Sequence, residues 1–176
     1  RLQQIVQHVI TPSTLGTREL SVVFGQGRSD HVNFINVGVP TVFFSDATGP
    51  CYHTDSDDIA VVDFDKLDRQ IGIIGRLVRD LATTDVLPTF TSGNPVATYD
   101  DAVVLTDAVD ALQADLALFP DATAAQLVTF RTQLHAIVDA GPAAFDSGDI
   151  NQVLSIAASS VSALTQGQCD GFLAQP

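Results

Sequence analysis

The stretch SDHVNFINVGVPTVFF, residues 29–44, decides how the first half of the chain is read. Ser29 or Asp30 can cap a short helix through HVNFINV, and Gly38 closes it. Pro40 then opens TVFF, which reads as a buried strand because it is short, apolar and bounded by turn residues. A helix running into a buried strand is a unit of a sheet layered with helices. Upstream, RLQQIVQHVI (1–10) sets Leu2, Ile5, Val6, Val9 and Ile10 on one helical face, which Thr11-Pro12 ends. LSVVF (20–24) is a second β-type run, stopped by the glycines of GQG. Downstream, DATGP and CYHTDSDD (51–58) form one loop. FDKLDRQIGIIGRLVRDLA (64–82) is an amphipathic helix striped by Leu67, Ile71, Ile74, Leu77, Val78 and Leu81. Residues 1–84 therefore predict part of an α/β domain.

The composition changes at residue 85. DVLPTFTSGNPVATYD lacks periodicity, and 85–98 reads as a linker. Residues 99–176 then predict a three-helix extension, with helices near 100–119, 121–140 and 149–166 broken at FPD and GPAAFDSGD. His135 falls within the stripe Leu127, Phe130, Leu134, Val138, at a core margin. The extension is either a packing appendage or a module for docking and self-assembly.

At 176 residues and 45% apolar, the chain can bury a core. Its net charge of −13 argues against a nucleic-acid partner, whose phosphates would repel it. No apolar run reaches the roughly 18 residues of a membrane helix, and no signal peptide is visible. The chain starts at Arg1 and has no methionine, so the expectation is a processed chain or a piece of a longer one. Cys51 and Cys169 are too few for a zinc knuckle; they are either one disulfide or two thiols.

Within CYHTDSDD, His53 stands on a loop after the expected strand 41–44, where α/β sheets place their sites. Its imidazole is a candidate metal ligand. Asp57, four residues on, could orient it, and Tyr52 could donate to an oxyanion. The same residues also read as a solvated polar turn. Asp55, Asp57 and Asp58 could instead offer oxygens to calcium, although the glycine and late glutamate of an EF-hand are missing.

Taken together, SDHVNFINVGVPTVFF, YHTDSDDI and the helix DFDKLDRQIGIIGRLVRDLA closely resemble the end of the catalytic domain of zinc metallopeptidase family 28. That family includes secreted leucyl-type aminopeptidases and glutamate carboxypeptidases. The resemblance runs over residues 29–82. It implies a mixed-sheet sandwich with flanking helices, a pair of zinc ions, and hydrolysis of peptide N-terminal residues by metal-activated water. His53 corresponds to the last zinc ligand and Tyr52 to a tyrosine that steadies the tetrahedral intermediate. Asp57 corresponds to a supporting acid. Ser29 and Asp30, with Phe34, match the motif that shapes the floor of the site. Phe44 lies where the family lines its substrate pocket.

The family's other ligands and its general-base glutamate have no counterpart here; Glu19 is the chain's single glutamate. One histidine cannot hold two zincs. The resemblance therefore implies the C-terminal part of a larger, secreted or periplasmic aminopeptidase. Its partners would be a peptide substrate and the N-terminal part of the same peptidase. The alternative is a catalytically inactive, peptidase-like binding or assembly protein.

Overall fold

The computed structural model describes residues 1–25, 27, 29–45, 49–93, 96–166 and 169. Among these residues the secondary structure is entirely helical, with 3-10 turns and loops and no strand. The mixed-sheet sandwich expected for the first half is thereby overturned. A strand exists only when a neighbour satisfies its N–H and C=O groups. The two β-type runs do not supply this for each other. At the end of LSVVF, Val22–Gly25 wind into a 3-10 turn, and Phe24 packs against helices. TVFF is irregular: Val42 packs against a helical pair, and the Phe43 ring stacks on His31 with centroids 4.5 Å apart. Phe24 and Val42 pack against helices while Phe43 and Phe44 stay partly exposed, so β-propensity finds no strand partner at either place.

The chain forms two compact units that are not simple linear segments. The first comprises Arg1–Arg18, Gly27–Phe43 and Val62–Asn94, and the second Glu19–Gln26, Phe44–Val61 and Pro95–Pro176. In the first unit, α1 (Leu2–Ile10) packs on α3 (Phe64–Thr83). Val6 and Val9 meet Ile73 and Leu77 there, bordered by Leu2, Ile5 and Leu81. Burying each such side chain is worth about 1.5–3 kcal/mol. The α3 start is set by Asp63, whose carboxylate accepts the Lys66 N–H at 2.8 Å. The Arg1 guanidinium donates to the Thr84 hydroxyl and the Val86 carbonyl, securing the chain beyond α3. Between α1 and α3 in the sequence comes α2 (His31–Asn36). It closes with Gly38 N–H donating to the Ile35 carbonyl and Val39 N–H to the Phe34 carbonyl. That pairing needs a left-handed residue, which Gly38 provides at φ 76°.

The second unit is built on α4 (Tyr99–Ala111), α5 (Asp121–Ala140) and α6 (Ser147–Leu164). A 3-10 segment, Leu112–Leu118, extends α4. The α5 residues Thr123, Leu127, Phe130, Leu134 and Ile137 recur at helical spacing and are buried. Leu127, Phe130, Leu134 and Ile137 meet Ala102, Val109, Phe119, Val153 and Ile156 in one apolar core. Helices α4 and α6 each begin with a reciprocal capping box, Thr98 with Asp101 and Asp146 with Asp149. Asp101 does more than cap. It is buried, and its carboxylate accepts from the Thr98 N–H and hydroxyl and from the Ser21 N–H and hydroxyl, all within 2.9 Å. The segment around Val22–Gly25 is thus tied to the start of α4. Among the described residues, no helix is long and apolar enough to cross a membrane.

Candidate functional site

The loop carrying Tyr52 and His53 belongs to the second unit. It is a run of tight turns. Tyr52 N–H donates to the Gly49 carbonyl, Thr54 N–H and hydroxyl to the Cys51 carbonyl, and Asp57 N–H to the Thr54 carbonyl. The loop continues through Asp58, whose carboxylate accepts the Ala60 N–H at 2.7 Å and leads into the 3-10 turn Ile59–Val61. Cys51 is buried and disulfide-bonded to Cys169, with the Cα atoms 4.9 Å apart, so of the two possibilities open in the sequence the thiols are paired. The expected loop at 46–50 lies partly outside the described residues, since 46–48 are not among them.

His53 is the one non-glycine residue held at positive φ, 61°, among the described residues. An L-residue bearing a Cβ is disfavoured there by about 1 kcal/mol or more, and such positions concentrate at functional sites. Asp57 holds it in place: its Oδ2 accepts the His53 backbone N–H at 3.2 Å. That carboxylate therefore fixes the main chain beneath the ring. The imidazole is stacked on the Tyr52 ring, with centroids 3.8 Å apart and planes 18° from parallel. Both rings are exposed to solvent.

The remaining residues are placed as follows. Phe44 lies in the second unit and is partly exposed on the segment leading to the loop. Ser29 and Asp30 lie in the first unit, both exposed, where Asp30 occupies the N-cap position of α2 without a side-chain cap bond. Their backbone carbonyls accept the Val32 and Asn33 N–H groups. Next to them His31 is buried, and its Nδ1 has no hydrogen-bond partner among the described residues. Among the described residues, no three His, Cys, Asp or Glu side chains converge as a metal would require.

A polar cluster that the sequence reading missed lies on the helical bundle. Asp110 at the end of α4 accepts from Arg131 Nε at 2.6 Å and from His135 Nε2 at 3.0 Å. The His135 hydrogen bond, then Arg131, hold the Asp110 carboxyl below its ordinary range. Arg131 and His135 stand four residues apart on α5, which puts them on one face. That spacing was the available signal. Asp110 could not be matched to it without knowing how α4 and α5 pack.

The family model of Peptidase family M28 matches residues 2–78. A domain like that of peptidase family M28 is thus present over this stretch, which holds Ser29, Asp30, Phe44, Tyr52, His53 and Asp57. No curated protein and no solved structure matches the chain.

Proposed function

We propose that residues 2–78 are the C-terminal part of the catalytic domain of an exported di-zinc aminopeptidase, which removes N-terminal residues from peptides. His53 is a ligand of one of the two zincs, and Tyr52 faces the reacting carbonyl. The remaining ligands and the general base lie on polypeptide outside this sequence, the N-terminal part of the same peptidase. The observation that carries the reading is the backbone of His53. A histidine kept in the left-handed region beside a carboxylate that accepts its backbone N–H, inside a stretch matched by a peptidase family, supports a ligand role. The Cys51–Cys169 disulfide supports a secreted or periplasmic setting.

A second reading has an observation in its favour. The exposed His53 ring, with no converging ligands among the described residues, also suits a peptidase-like protein that binds or assembles without catalysis. Metal analysis and hydrolysis of an N-terminal leucyl reporter by the protein from its native source separate the two. The enzyme reading expects about two zincs per molecule and loss of activity by more than about a hundredfold in His53→Ala. A metal-free, inactive native protein overturns it.

A further inference from the structure

Residues 52–60 are all exposed, so core packing does not set the conformation of the loop that carries His53. Its buried foothold is the pair just before them, Pro50 and Cys51. The bonds that shape the loop start there too. The Cys51 carbonyl accepts both the N–H and the hydroxyl of Thr54, at 3.1 and 2.7 Å, which closes a turn over Tyr52 and His53. Within that turn His53 is left-handed, against the preference of any residue with a Cβ. Its N–H donation to Asp57 and its stacking on Tyr52 oppose that preference, but both lie open to water and contribute little net. The shape of the turn therefore depends on how firmly Cys51 is held.

Cys51 is held from the helical segment that follows the family match. Its Sγ is bonded to that of Cys169, beyond the end of α6 at Leu164. That stretch is itself fixed on the way. The Gln166 N–H donates to the carbonyl of the buried core residue Ala163, and its side-chain oxygen accepts the hydroxyl of the buried Thr123 of α5 at 2.8 Å. A covalent and hydrogen-bonded path thus runs from α5 through Gln166, Cys169 and Cys51 to Thr54, and His53 sits inside its last link. All of it lies in one compact unit, which takes in residues 44–61 together with 95–176. The peptidase-like match ends at residue 78. It covers the loop but not what holds the loop.

We propose that Cys169 is a positioning residue for His53. Through its bond to Cys51, the helical segment 99–176 keeps the turn in the shape that presents the imidazole, and so belongs to the candidate site. This differs from both the packing appendage and the docking module expected of that segment. The inference rests on the peptidase reading only for what His53 is held to do.

NMR of the full 176-residue chain tests it without zinc or substrate. A strong intraresidue NOE between the His53 N–H and Hα marks its left-handed backbone, and upfield-shifted ring protons mark its stacking on Tyr52. Cys169→Ser is expected to lose both signals while keeping its helical circular dichroism in the cold. Reducing the wild type with a water-soluble phosphine should do the same, and reoxidation with oxidised glutathione should bring both signals back. A bridge that only stabilises the bundle would lower the melting temperature and leave the His53 signals alone, which overturns the proposal. Loss of the helices in the cold in both opened forms overturns it too, because the bond then holds the bundle rather than the loop. The two ideas fail separately. A zinc-free native protein whose His53 signals vanish with the bond sinks the peptidase reading alone, and a zinc-bearing one whose signals survive sinks this inference alone.

Discussion

Replacing Asp101 by alanine should be among the most damaging single changes to the helical bundle, and its cost can be worked from the contacts. The carboxylate is buried and accepts four hydrogen bonds, two from Thr98 and two from Ser21. Hydrogen bonds to a charged group are worth about 1.5–3 kcal/mol each, but the two hydroxyls can turn elsewhere when the carboxylate is gone. The two backbone N–H groups cannot, and each buried donor left unpaired costs about 1–3 kcal/mol. The other half of the capping box, the residue 101 N–H to the Thr98 hydroxyl, survives the change and adds nothing to the loss. Release of a buried charge from its desolvation cost offsets part of this, which leaves a net loss of about 3 kcal/mol. With a urea dependence of about 1–2 kcal/mol per molar, the unfolding midpoint followed by circular dichroism falls by roughly 2 M. Asp101→Asn should cost about half as much, because its amide presents a donor to a donor at Thr98. A cycle combining Ser21→Ala with Asp101→Ala should show coupling of about 1 kcal/mol, since the two side chains touch. An Asp101→Ala protein less than about 1 kcal/mol weaker than wild type refutes the view that this carboxylate joins the 19–26 segment to α4.

Further outcomes follow from the same contacts. Reduction of Cys51–Cys169, which closes a loop with a sequence separation of 118, should destabilise the chain by up to about 5 kcal/mol on a chain-entropy basis, and thiol counting should find two only after reductant. The Asp110 carboxyl should titrate by NMR below an ordinary aspartate, and either His135→Ala or Arg131→Ala should raise its midpoint. Because that pKa is depressed on folding, its stabilising contribution is present above the unfolded-chain value and is lost as pH falls through the folded one. His53→Gly should leave thermal stability unchanged or raise it by up to about 1 kcal/mol, whereas His53→Val should lower it by about 1–2 kcal/mol, because a β-branched residue resists positive φ.

The helices were legible wherever their signals were local. The α1 stripe with Thr11-Pro12, the α3 stripe and the Gly38 stop act over a few residues, and the structure places them accordingly. The expected strands failed for the opposite reason. TVFF and LSVVF carry β-type composition, but a strand is a property of two segments, and the neighbours these runs find are helical. The site was partly legible. Tyr52, His53 and Asp57 share one loop, yet their spacing gave no hint that Asp57 grips the main chain rather than the ring, or that His53 is left-handed. Asp110 escaped notice because its partners lie more than twenty residues away on another helix. Asp101 was hidden in the same way: its role as an N-terminal cap is local, but its grip on Ser21 spans 80 residues.

The bridge between Cys51 and Cys169 makes the polypeptide a lasso, with nearly two thirds of its length inside the noose. A protease that nicks any exposed bond between those two cysteines leaves the fragments covalently joined. Such a cut would go unseen on a denaturing gel run without reductant and would appear as two bands once the bridge is opened. A cut in the stretch between α3 and α4 therefore leaves one covalently joined molecule.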